Sequence, residues 1–425
     1  MKEQAVDMKK NVMWNTFGSV FYCACQWVIS IIVVHVASYE AAGYLSLAMT
    51  MSSSFSAISL FSMRNYQVSD VRGEYKTNEY VGSRILTCVI AMICCAIAAA
   101  FGNSIYQMLC IDAFMLVRVA EAIVDVLHGT NQKHNRYDLI GKSYILRGIA
   151  TVVSFTVGLK ITDDLLITLS IMAVLNLLVA LGYDWVKTGG LEKIRPVIFQ
   201  PKVLELLKKC IPIVIFSFLL SLENLIPKTV LQEVEGTTSL GIYSSIASPT
   251  LVVQVFASVA FNPFLPRFSE LYVTGEYDRF HGLLRKTYLA LLGMCAIVTI
   301  GAAVLGRWGL SFLLGQDILE YYNLFMPIVW CTILTAIIWI VSAIIVALRK
   351  IKLLLIGMIA DFLLCIALVY PCVNTFGQNG VSITQIIVLA IYVIYMIAVC
   401  EIVTNRQKAK QKEEENEKAN HNSSL

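Results

Sequence analysis

Arg118, Glu121 and Asp125 stand three and four residues apart in a stretch, 106–127, that is mostly apolar. At 3.6 residues per turn they fall on one narrow helical face. A charge near the centre of a bilayer helix costs about 2.5–3.5 kcal/mol on insertion scales, so that face must point into the protein or a wet cavity. A guanidinium held there can bind an anionic group such as a diphosphate, and the two carboxylates can take up a coupling proton or sodium ion. A purely structural alternative is equally open: Arg118 and Glu121 neutralise each other along the helix, and Asp125 is hydrated near its end.

Other ionisable residues raise the same question. Glu223 and Lys228 lie in the apolar run 209–232, with Pro227 between them removing a backbone donor. Lys228 is a candidate for anion capture, although its stem can also snorkel so that the ammonium reaches water. Asp361 is a lone carboxylate near the middle of run 351–371. Arg64 and Arg147 lie near helix ends, where they can receive a diphosphate or hold lipid headgroups. The candidate set is therefore Arg118, Lys228, Arg64 and Arg147 for anion capture, and Glu121, Asp125, Glu223 and Asp361 for ion coupling.

The elements that carry these residues are about twelve apolar runs, near 11–37, 41–62, 82–101, 106–127, 145–160, 164–185, 209–232, 238–262, 287–306, 322–347, 351–371 and 378–402. Each is close to the 20 residues or so that a helix needs to span the hydrocarbon. Seven stretches between them hold 29 of the 33 Lys and Arg residues, all on one side. The other side holds Lys160 and Arg307. The positive-inside rule places both termini in the cytoplasm. A composition that is 57% hydrophobic, with a mean hydropathy of +0.71, excludes an ordinary soluble domain. Basic runs interleaved with aromatics are absent, which argues against nucleic acid. Most of the twelve cysteines fall in apolar runs and read as small hydrophobes, without metal-ligand spacing.

The chain repeats at an offset near 200 residues. Gly73-Glu74-Tyr75 recurs as Gly275-Glu276-Tyr277, each followed by a base, Arg84 and Lys286. Gly43 near the start of the second run matches Gly241 near the start of the eighth. The expected architecture is an all-α membrane protein of about twelve transmembrane helices in two homologous six-helix lobes around a central cavity. Its parts are a first lobe over 1–186, a linker over 187–208, a second lobe over 209–402 and a disordered cytoplasmic tail over 403–425. Because each half holds an even number of spans, the halves share one orientation.

Pro227-Lys228, Gly241-Ile242-Tyr243, Pro249, Asn262-Pro263 and Pro266-Arg267 resemble the middle of polysaccharide flippases in the multidrug/oligosaccharidyl-lipid/polysaccharide exporter superfamily. In the first half Ala42-Gly43, the stretch from Met63 to Val71, Gly129, Gln132-Lys133 and Arg147-Gly148 look similar to the same group. The resemblance covers residues 10–402. It implies a bacterial cytoplasmic-membrane protein that moves undecaprenyl-pyrophosphate-linked oligosaccharide units to the outer leaflet by alternating access, with membrane lipids and polysaccharide assembly proteins as partners.

No Gly-x-x-x-x-Gly-Lys-Ser/Thr stretch is present, so the expected drive is an ion gradient or the membrane potential, with no cofactor beyond a coupling proton or sodium ion. A multidrug or cation antiporter of the same superfamily is the alternative. A membrane glycosyltransferase or polysaccharide polymerase fits less well, because the long connections 186–208 and 263–286 lack catalytic groupings. The expectation is a non-enzyme.

Overall fold

A computed structural model of the chain describes residues 8–70, 73–261, 264–348 and 350–423. Val71, Asn262 and Pro263 of the motifs above lie outside them. The described residues form helices without strands. In order these are α1 (Met8–Val36), α2 (Tyr39–Leu60), the short α3 (Met63–Ser69), α4 (Thr77–Ala99), α5 (Ile105–Lys133), α6 (Tyr137–Thr162) and α7 (Leu165–Val179). Then follow α8 (Val186–Gly189), α9 (Pro201–Glu235), α10 (Thr237–Ala247), α11 (Leu251–Phe261), α12 (Leu265–Val273), α13 (Tyr277–Leu314), α14 (Phe325–Ala347), α15 (Ile351–Phe376) and α16 (Gln378–Ser423). A π-helical turn at Ala180–Trp185 joins α7 to α8, and a 3-10 turn at Ser248–Thr250 joins α10 to α11.

Joined in this way, the helices make twelve long segments that coincide with the twelve apolar runs. Eight are long and apolar enough to cross a membrane on those grounds alone. The remaining four are α2, α5, α9 and α10–α11, and the first three carry serine, threonine and charged residues in place of part of the apolar content. Helices α2, α5, α9 and α10 are also joined by packing, since α2 lies against the other three and α10 against α9. Polar side chains are therefore sheltered by protein, which is where their desolvation is offset.

Local sequence sets the helix starts. Ser38 caps α2 by accepting from the Ala41 amide at 3.1 Å, and Ser104 and Gln107 form a reciprocal capping box on α5. Asp164 accepts from the Ile167 amide at the start of α7. Several helices begin before their apolar run. Helix α4 starts at Thr77, so Arg84, expected near a loop, lies two turns inside it and is fully buried. Its counterpart Lys286 in α13 is exposed. Helix α9 runs unbroken through Pro227. Helix α16 continues to Ser423 through the segment expected to be disordered. That stretch is rich in Lys, Glu, Gln and Ala and lacks Pro and Gly, a composition with strong helix propensity.

By packing the chain divides into two compact units, Met1–Ser248 and Pro249–Leu425. The repeat divides it earlier, so α9 and α10 belong to the second half by sequence and to the first unit by contact. In the unit Pro249–Leu425, α14 is central, with 67% of its spanning window buried, against 11% for α13, whose side chains are left for lipid. In the unit Met1–Ser248, an apolar cluster that includes Met63, Tyr80, Leu127, Leu206 and Val214 fixes α3 and the first turns of α9 against α4 and α5. All twelve cysteines are free.

The repeat is visible in three dimensions. Gly73 and Gly275 both adopt positive φ, +66° and +75°, after a short helix and before a long one. At the crossing of α2 and α10, a Cβ on Gly43 would lie 2.1 Å from the Thr237 carbonyl oxygen, and one on Gly241 would lie 1.8 Å from that of Tyr39. Ser46 donates to Ser244 at the same crossing. Residues 39 and 237, 43 and 241, and 46 and 244 share one offset, so each half presents the same surface to the other here.

Candidate functional site

The polar face of α5 is where the sequence placed it, and it gathers partners from five other helices. Arg118 Nη1 donates to Glu121 Oε2 at 2.6 Å, and Nη2 donates to Ser53 Oγ on α2 at 2.9 Å. The Arg118 guanidinium also lies 5.2 Å from the Phe114 ring centre. The other oxygen of Glu121 accepts from the Tyr22 hydroxyl of α1. Tyr22 in turn accepts from Arg147 Nη2 of α6 at 3.0 Å and from Gln26 at 2.8 Å. Arg147 Nη2 is 3.5 Å from Glu121 Oε1. Glu121 thus sits between two guanidiniums and a phenol.

One turn along, Asp125 repeats the pattern. Arg84 Nη2 approaches it at 2.8 Å and Arg64 Nη1 at 3.5 Å. Arg84 is held by the Ser59 carbonyl at 2.6 Å, and Arg64 by Gln132 Oε1 at 3.2 Å. The motif residues of α3 are in place for this because Gly129 lets Gln67 lie against α5, where its amide bonds Thr130 at 3.0 Å. A Cβ on Gly129 would meet the Gln67 side chain at 2.1 Å.

Lys228 of α9 donates to Thr50 Oγ1 of α2 at 3.2 Å. No carboxylate lies within ion-pair distance of it among the described residues. Thr50 and Ser53 are three residues apart on α2, so their side chains share a face about 5–6 Å apart. Arg118 and Lys228, the two leading candidates for anion capture, therefore dock on adjacent turns of one hydroxyl-rich stripe.

The remaining candidates are placed as follows. Arg147 is buried, and Arg64 is partly exposed. Glu223 is buried on α9, on another face than Lys228. Asp361 is buried on α15 in the unit Pro249–Leu425. Sequence reasoning missed Arg84 and Tyr22 as members of the network, and beside it His128, whose Nε2 lies 3.3 Å from Asp184 Oδ1. The repeat position of Arg84, the Tyr22/Gln26 spacing of four, and the continuation of the 118–121–125 face to 128 were the available signals.

No family model matches the chain. It is 26% identical over 321 residues to the capsular polysaccharide biosynthesis protein CapF of Staphylococcus aureus, covering 73% of this chain and 78% of that one. Among solved structures it resembles the lipid II flippase MurJ in an inward closed conformation, with a TM-score of 0.70 and 13% identity over 93% of this chain and 90% of that one. An inward-facing multidrug resistance MATE family transporter matches with a TM-score of 0.62 and 12% identity, covering 93% and 95%. The Vibrio cholerae MATE transporter VcmN has the same score and identity, covering 94% and 95%.

The chain shares the fold of these transporters and of the flippase, and it is a multi-pass membrane protein. Within this fold, the α5 network is a polar core on a helix whose own apolarity is too low to mark it as a span.

Proposed function

We propose that this protein is a flippase that moves undecaprenyl-pyrophosphate-linked oligosaccharide units from the inner to the outer leaflet of a bacterial cytoplasmic membrane by alternating access, with both termini in the cytoplasm. The observation that carries this reading is the charge balance of the α5 network. Leaving aside the pair formed by His128 and Asp184, five bases (Arg64, Arg84, Arg118, Arg147 and Lys228) accompany two carboxylates, Glu121 and Asp125.

A diphosphate entering low dielectric loses hydration that fixed cations replace in part, and guanidiniums match its oxygens two at a time. Arg118 and Lys228 are the pair we assign to capture, because they share the α2 stripe and Lys228 has no carboxylate to surrender. Arg64 sits at the partly exposed end of the network, where a diphosphate first arrives. Arg147 holds Glu121 in place. A binder of small cations needs the opposite balance, so the surplus of base speaks against the multidrug reading. The kinship with a capsular polysaccharide biosynthesis protein agrees in substrate class.

An imposed gradient of protons or sodium ions, or the membrane potential, supplies the drive in this reading. Glu121 and Asp125 already have two guanidiniums each, so the coupling role falls to the buried Glu223 and Asp361. The proposed partners are the lipid-linked oligosaccharide, membrane lipids and polysaccharide assembly proteins.

The test is translocation of a fluorescent polyprenyl-pyrophosphate oligosaccharide in liposomes containing the purified protein, with and without a proton or sodium gradient. Protein-dependent turnover is expected, and Arg118→Ala is expected to insert normally and abolish it. Movement of small cationic drugs in place of the lipid would replace this proposal with the antiporter.

A further inference from the structure

His128 continues the polar face of α5 one turn beyond Asp125, and it is turned toward a different partner. Its Nε2 lies 3.3 Å from Asp184 Oδ1, and each side chain is 1% exposed. Neither carboxylate oxygen of Asp184 meets a hydrogen-bond donor at bonding geometry. A carboxylate so enclosed is costly unless a cation or a proton accompanies it.

The backbone is arranged to put it there. Along α7 the buried face is Leu165, Thr168, Leu169, Met172, Ala173 and Asn176. At about 100° per residue, a plain α-helix would next turn Tyr183 and Lys187 inward. The π-helical turn Ala180–Trp185 shifts the register by one residue, so Asp184 and Thr188 are buried and Lys187 is exposed. Thr188 Oγ1 then donates to Asn131 Oδ1 at 3.1 Å and locks α8 to α5. Single π turns of this kind occur most often where a side chain must be re-aimed for function.

The pair adjoins the diphosphate network through α6. Tyr144 packs edge-on against His128, with ring centres 5.1 Å apart, and against Tyr22 at 5.6 Å. Tyr22 accepts from Arg147 and donates to Glu121, so Tyr144 bridges the pair to that part of the network. The charges and titratable groups that face the pair are Arg64 from α3, Arg147 and Tyr144 from α6, and Tyr183 from the π turn, with Asp138 at the start of α6 beside Tyr183. Helix α7 has no ionisable side chain.

We infer that His128 and Asp184 form a proton-binding site linked to anion capture by the α5 network. With neutral imidazole the pair carries one negative charge. A proton taken from solvent onto the imidazole brings it to zero and leaves a compact buried ion pair. While the pair is negative, its charge draws on the field of Arg147, which already serves Glu121. Protonation of His128 frees Arg147 and Arg118 to answer the charge of an arriving diphosphate. By reciprocity the diphosphate favours proton uptake by the same factor. This linkage rests on the diphosphate reading above, whereas the proton site itself does not.

The experiment uses the full-length protein in nanodiscs with farnesyl diphosphate as the probe, its affinity measured by calorimetry from pH 5.5 to 8. Affinity of the wild type is expected to rise as pH falls, with a slope steeper than that of His128→Gln by up to about tenfold per pH unit, the limit for one linked proton. The probe's own titration is common to both proteins. Equal slopes would overturn the linkage. In parallel, nitrogen NMR of histidine-labelled wild type, with His128 assigned by the variant, follows the imidazole directly. A His128 resonance that stays fixed from pH 5 to 8.5 would overturn the proton site. If neither protein binds the probe at any pH, the diphosphate reading and the linkage fall together, and the histidine titration alone decides whether the proton site stands.

Discussion

Asp125 is paired with two guanidiniums of unequal burial, and that inequality sets what each residue contributes. Arg84 is wholly enclosed and, among the described residues, is bonded by Asp125 and the Ser59 carbonyl, whereas Arg64 reaches partly to the surface. Asp125→Asn leaves Arg84 charged, buried and without its counterion, which costs about 3–5 kcal/mol by the behaviour of broken buried pairs. Arg64→Ala leaves Asp125 paired with Arg84, and the cost should stay under about 1 kcal/mol, as for a half-exposed pair. Thermal unfolding of the two variants in detergent should therefore separate them clearly. Equal losses would mean that Arg84 finds another counterion.

At the scale of the element, two features are open to test. The α2–α10 crossing brings the backbones so close at Gly43 and Gly241 that either Cβ would collide with a carbonyl oxygen. Each glycine-to-alanine change should cost about 1–3 kcal/mol, in the range of overpacked sites. Because both strain one contact, the double variant should cost distinctly less than the sum, and strict additivity in the unfolding measurements would contradict the shared crossing.

The loop between α3 and α4 depends on Asp70. Burial alone would raise the pKa of its carboxyl, yet the amides of Tyr75 and Glu74 at 3.0 and 2.9 Å and the Tyr80 hydroxyl at 3.1 Å hold it below the usual carboxylate range. A depressed folded-state pKa stabilises the protein above the unfolded value of about 3.9, and the contribution disappears as pH falls through the folded value. Susceptibility of this loop to proteolysis, read with an acid-active protease at low pH and a neutral one near pH 7, should rise below about pH 4 in the wild type. In Asp70→Asn it should already be high at neutral pH, and an unchanged profile would remove Asp70 as the anchor.

For the whole molecule, the twelve long helices and the duplication were legible because both are written in periodic features, the length of apolar runs and an offset of motifs. The 118–121–125 face was legible for the same reason. Arg84 was not, since it stands only two residues into its apolar run, where it reads as a base at a helix end, whereas α4 starts five residues earlier and places it two turns in. The pairing of Glu121 with Tyr22 and Arg147 joins helices about a hundred residues or less apart in sequence, and no local pattern announces it. The π turn that turns Asp184 inward shifts the register by a single residue, which composition does not record.

The crossing of α2 and α10 also has a symmetry of its own. Gly43 meets Thr237 as Gly241 meets Tyr39, and Ser46 meets its own counterpart Ser244. Such reciprocity is what a two-fold axis generates when one surface pairs with a copy of itself. The seam inside this single chain is therefore built as the interface of two like-oriented copies would be, with the counterparts of each contacting pair in contact as well.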